Sequence, residues 1–136
     1  MRLQQQLTFL LQRKLIDEEI VQWMLHIRDH LYTQWHADVE SPQVFMLFNH
    51  FAMALGRIKR GYAAHPLAQE ILAEMQSAVV FPQVFQRYSE LVSLLPIPIP
   101  ESEQTHFIAN IYALSLSQPQ ILDKKTIGNK QSNRII

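Results

Sequence analysis

The sequence predicts an all-α protein, a compact bundle of five to six helices. Three observations carry that prediction. Apolar residues recur at three- and four-residue spacing through most of the first 116 positions. Start and stop signals bracket those stretches. Strand signals are weak, because Val79-Val80-Phe81 is too short to stand as a sheet.

Leu3, Leu7, Leu10, Leu11 and Leu15 place a first helix over residues 3–14. Asp17 can cap the free amides of a second, and Glu18 and Glu19 suit its positive dipole end. Ile20, Trp23, Met24, Ile27, Leu31 and Trp35 form its apolar stripe, which runs to about His36. Ser41-Pro42 is a start signal, a serine N-cap followed by proline at the first helical position. The third helix carries Val44, Leu47, Phe48, Phe51, Leu55 and Ile58, and ends near Arg60 with Gly61 suited to a left-handed C-cap. Gly56 inside it costs roughly 1 kcal/mol relative to alanine, which a close helix contact would explain.

Pro66 reads as the opening of a fourth helix, with Leu67, Ile71, Leu72 and Met75 facing inward. Residues 82–95 form a fifth segment through Val84, Phe85, Tyr88, Leu91, Val92 and Leu95. Pro96, Pro98 and Pro100 alternate with isoleucines and cannot continue a helix. Glu101-Ser102-Glu103 begins the last core helix, whose buried face is Phe107, Ile108, Ile111, Tyr112 and Leu114. After Leu116 the pattern stops. The expected division is a helical domain over 1–116 and a polar, basic, flexible or partner-dependent tail over 117–136.

A chain of 136 residues is one domain by size and long enough to bury its own core. Its basic and acidic residues balance, so no global field draws it to nucleic acid or to an anionic membrane. Without cysteine there are no disulfides and no thiolate zinc sites. The amino terminus lacks a signal-peptide core, and no uncharged apolar run approaches the ~20 residues that span a bilayer. A soluble cytoplasmic protein is the expectation.

The chemistry-bearing residues cluster between His50 and Ile71. His50 lies in an apolar helical run, and Arg57 follows two turns later on the same face, about 10 Å along the axis. An imidazole titrates near neutrality, so a nucleophilic nitrogen is available there. The plainer reading makes His50 a half-buried structural residue and Arg57 a solvated one with its stem on apolar surface. His26 and His30 have zinc-ligand spacing, but Ile27 stands where a metalloprotease pattern needs glutamate, and no third ligand is evident. His36 and His65 read as cap or loop residues. Lys59-Arg60 with Lys124, Lys125 and Lys130 could make a basic surface, yet no helix-turn-helix or aromatic interleaving accompanies them. Paired catalytic carboxylates, a nucleophile with its base and a phosphate-binding glycine loop are all missing, which argues against an enzyme. Nothing in the pattern calls for a cofactor or a metal.

The order of these residues resembles the PTS regulation domain (PRD), over roughly residues 3–116. Leu47, His50, Ala54 and Arg57 match that family's first phosphorylation motif. Lys59, Arg60 and Gly61 are then followed by His65, Leu67, Glu70 and Ile71, as a basic turn is followed by Leu-x-x-Glu-Ile in the family. Phe81-Pro82-Gln83-Val84-Phe85 looks like its Tyr-Pro-x-x-Tyr/Phe segment. Gln104 to Ile111 resembles the last motif, with one departure. The family's second histidine falls on Ile111, or on Asn110 if the alignment shifts by one residue.

The resemblance implies a stand-alone, non-enzymatic PRD protein of the transcriptional antiterminator or activator type. It implies a phosphoacceptor at His50, with Arg57 of the same or the partner subunit contacting the phosphoryl group. The donors would be HPr or EIIB phosphotransfer proteins, the assembly a homodimer, and the partner a transcription regulator, with no direct nucleic-acid or membrane binding. The alternative is a structural or dimerisation protein that keeps the fold without the phosphorylation switch.

Overall fold

The computed structural model describes residues 2–123, and these form six α-helices and one short 3₁₀ turn with no strand among them. The helices are α1 (Arg2–Gln12), α2 (Glu18–Gln34), α3 (Pro42–Lys59), α4 (Gln69–Gln76), α5 (Phe81–Ser93) and α6 (Glu101–Ser117), followed by the turn Pro119–Leu122. Among the described residues no helix is long and apolar enough to cross a membrane.

The signals at Asp17, Ser41 and Gly61 act where they were expected. Asp17 accepts from the Ile20 amide at 3.0 Å, and Ser41 from the Val44 amide at 3.2 Å. Gly61 closes α3 in the left-handed region at φ +89°, with its N–H on the Ile58 carbonyl and the Tyr62 N–H on the Arg57 carbonyl. That is the paired bond pattern of a Schellman cap. Two other left-handed residues carry side chains, Lys14 (φ 63°) after α1 and His36 (φ 56°) after α2.

Helix α3 is the centre of the bundle. It packs against α1, α2 and α6, and α6 in turn packs against α4 and α5. Phe48, Phe51, Leu47 and Leu55 of α3 are fully buried with Leu7, Met24, Ile27, Leu31, Trp35 and Ile111. The Phe51 and Phe107 rings stack 4.5 Å apart and join α3 to α6. Gly56 sits directly under the α1–α2 connection, where a Cβ would lie only 2.0 Å from the Leu15 carbonyl oxygen. A close approach of backbones is therefore the reason for glycine at this position.

Three expectations are corrected. Pro66 does not open a helix, since residues 62–68 run without helical structure and α4 begins at Gln69. The reason is tertiary: the Leu67 N–H is taken by the Thr105 hydroxyl at 3.1 Å and the Ala64 N–H by Glu103 at 2.9 Å. Ile71 and Phe85 are exposed, because the inward faces of α4 and α5 are made by Met75, Val84, Tyr88 and Leu91, with Leu72, Phe81 and Val92 partly buried beside them. Packing also continues past residue 116. The 3₁₀ turn buries Ile121 completely, and Gln118 bonds to Asp38 and Ser41. Residues 124–136 of the expected tail, with its lysines, lie outside the described residues.

The same segment is tied down by a buried arginine. Arg87, only 2% exposed, donates to the Ile121 and Asp123 carbonyls and to Glu90. Glu90 also accepts from Trp35 Nε1 at 2.8 Å and pairs with His30 Nε2 at 3.0 Å. Burial alone would push the Glu90 carboxyl up. The bonds from His30 and Trp35 and the Arg87 charge outweigh it and hold the group below its ordinary 4.5. A carboxyl lowered by folding contributes stability that is full above its unfolded value and lost as pH falls through the folded one. Acid unfolding followed by circular dichroism should therefore show the native protein losing stability below about pH 4.5, and Glu90→Gln showing a flatter dependence there. Parallel acid limbs for the two proteins would contradict this.

Candidate functional site

Helices α3 and α6 run antiparallel, and their facing residues are paired at matched two-turn intervals. His50 meets Asn110, and seven residues further along α3 Arg57 meets Glu103, seven residues back along α6. Between these pairs lies a cleft of about 340 Å³, lined by both pairs together with His106 and Phe107. Seven residues is two helical turns, so each helix presents both of its members on one face.

Glu103 is completely buried, whereas the Arg57 side chain keeps 37% of its exposure. The guanidinium contacts both carboxylate oxygens at 3.3 Å through Nη2, and Nε adds a contact at 3.4 Å. The Ala64 N–H completes the carboxylate's partners. Arg57 is thus held by one buried anion at the cleft wall while part of it faces solvent. A buried carboxylate without such partners would be strongly unfavourable.

His50 is exposed, with Nδ1 2.9 Å from Asn110 Oδ1. Asn110 is itself anchored, its Nδ2 donating to the His106 carbonyl at 2.8 Å. The His106 ring reaches the other way, its Nε2 2.6 Å from the His65 carbonyl. Together with the bonds to Ala64 and Leu67, that contact fastens the 62–68 segment to the first turns of α6. The cleft's floor, its cation and its adjoining loop are one connected hydrogen-bonded unit.

Of the residues singled out from the sequence, the structure brings His50, Arg57 and Asn110 to the same cleft and leaves His26, His30, Lys59, Arg60 and Ile111 elsewhere. His26 is exposed on α2, and His30 is engaged with Glu90. Lys59 is paired with Asp17 and Glu19, and Arg60 donates to the Leu15 carbonyl. The Asp17 and Glu19 bonds raise the lysine above its ordinary value. Of the two positions onto which the last motif can be aligned, Ile111 is core and Asn110 is in the cleft. Sequence reasoning missed Glu103, taken for a helix-dipole acid, and missed Asn110 as the partner of His50. The seven-residue spacing shared by His50/Arg57 and Glu103/Asn110 was the available signal.

Two curated proteins are similar over nearly their whole lengths. One, an uncharacterized protein of Haemophilus influenzae, is 46% identical over 121 residues, 89% of this chain and 97% of that one. The other, the uncharacterized Escherichia coli protein YhfY, is 32% identical over 108 residues, 79% of this chain and 90% of that one. No protein-family model matches the chain. No solved structure matches it significantly.

Proposed function

We propose that this chain, which belongs to the family of the Haemophilus influenzae protein and Escherichia coli YhfY, is a non-enzymatic regulatory module that takes a phosphoryl group on His50. The observation that carries the reading is the cleft between α3 and α6, where an exposed imidazole and a part-exposed guanidinium line one cavity. The motif order that resembles a PTS regulation domain supports HPr or EIIB proteins as donors. It also supports action as a homodimer, or with a transcription regulator.

In the transfer, a ring nitrogen of His50 gives its lone pair to the donor's phosphorus. The new N–P bond forms as the donor's own bond to phosphorus breaks, and the donor atom keeps that electron pair. The chemistry adds negative charge and acceptor oxygens at the cleft. Arg57 is the cation on hand to meet them, and every bond it gives to the phosphoryl oxygens competes with those it gives to Glu103. Because Glu103 also holds Ala64, the charge change has a route to the 62–68 segment.

A second reading is a dimerisation protein without the switch. It is favoured by Asn110 and Ile111 standing where the related motif has its second histidine.

The test is incubation with phosphoenolpyruvate, Enzyme I and HPr. Label should enter the native protein, most of it should be lost in His50→Ala, and it should persist in His26→Ala and His106→Ala. Absence of label, or label unchanged in His50→Ala, overturns the switch and leaves the dimerisation reading.

A further inference from the structure

We infer that Asn110 is a positioning residue that locks His50 in its Nδ1–H tautomer and turns a lone pair on Nε2 toward an incoming electrophile. The inference rests on the phosphoacceptor reading only for its use, since the tautomer is a property of the free protein. An amide side chain has one donating and one accepting end. The His106 carbonyl can only accept, so the Asn110 end 2.8 Å from it is the NH₂ group. The opposite orientation would set two oxygens against each other. The end that faces His50 Nδ1 at 2.9 Å is therefore the oxygen, which accepts and cannot donate.

Nδ1 must then carry the proton, and a neutral imidazole has only one to place. Nε2 is left with its lone pair. Which ring nitrogen is protonated is set by the bond the other makes. In free histidine the Nε2–H form is the more populated one, and it would present a proton at that nitrogen in place of an electron pair. Asn110 inverts this preference. The device needs a residue on α6 that sits opposite His50 and has its own amide pinned one turn back, and Asn110 fulfils both conditions.

The decisive experiment is long-range ¹H–¹⁵N correlation of the imidazole side chains in the unphosphorylated protein, above the pH at which the rings are protonated. His50 is assigned from the signal missing in His50→Ala. Native His50 should show a pyrrole-type Nδ1 and a pyridine-type Nε2. Asn110→Ala should move it toward the Nε2–H pattern, while Asn110→Asp, which keeps an acceptor oxygen, should retain the native pattern. Circular dichroism confirms the fold of each variant. If Asn110→Ala does not fold, the native and Asn110→Asp spectra still decide the matter.

A pyridine-type Nδ1 in the native protein overturns the assignment, as does an Asn110→Ala spectrum identical to the native one. No donor is present in this experiment. A protein that shows the Nδ1–H tautomer yet never takes label therefore sinks the phosphoacceptor reading and leaves the Asn110 assignment standing. A protein that labels but holds the Nε2–H tautomer does the reverse.

Discussion

Gly56→Ala should destabilise the protein by about 3 kcal/mol, although it improves helix propensity. On a free helix the exchange of glycine for alanine would stabilise by about 1 kcal/mol. Here the added methyl would stand 2.0 Å from the Leu15 carbonyl oxygen, which is backbone and cannot rotate away. That carbonyl is also the acceptor for Arg60 Nη1 at 2.9 Å, so moving it breaks a bond as well. Overpacking against fixed backbone wins over the propensity term, and α3 must separate from the α1–α2 connection. Urea unfolding of the two proteins measures this, and a variant as stable as the native protein would mean that the contact is absent.

Arg57→Ala should cost about 3 kcal/mol, the lower part of the range for breaking a buried ion pair, because the arginine is partly solvated. The loss comes less from the arginine's own contacts than from the carboxylate it leaves behind. Glu103 has no exposed surface, and without Arg57 its remaining bond in the structure is the Ala64 N–H. Removing both charges is gentler than removing one. Adding Glu103→Gln to Arg57→Ala should accordingly recover a large share of the loss, since a glutamine oxygen can still accept from Ala64. A double variant less stable than Arg57→Ala alone would refute the account of this pair.

The contrast between these residues explains how much was legible in the sequence. Asp17, Ser41 and Gly61 act on amides and carbonyls within a few residues, so the ends of α2 and α3 could be read directly. Gly56 could be flagged because a glycine inside an apolar helix has a cost that something must offset. Pro66 misled because its local signal is overridden by the bonds that tie its neighbours Ala64, His65 and Leu67 to Glu103, His106 and Thr105, each pair 38 to 41 residues apart. The packing of 117–123 was hidden for the same reason. Its anchors are Arg87 and Asp38, and a polar sequence does not announce distant partners. Lys14 and His36 adopt left-handed conformations that glycine would have signalled and these residues do not. In the cleft, His50 and Arg57 were legible as a same-face pair. Asn110 and Glu103 became meaningful only once α6 was laid antiparallel to α3.

The claim at the centre of this account is that the α3–α6 cleft receives a phosphoryl group, and that it does so at His50. Mass mapping of the native protein after incubation with phosphoenolpyruvate, Enzyme I and HPr tests it most directly, with digestion kept near neutral pH to preserve an acid-labile phosphohistidine. The account predicts one added phosphoryl mass on the peptide containing His50, with fragment ions that place it on that residue. A phosphoryl group on His26, His30, His36, His65 or His106 in its place, or none on any peptide, would contradict it.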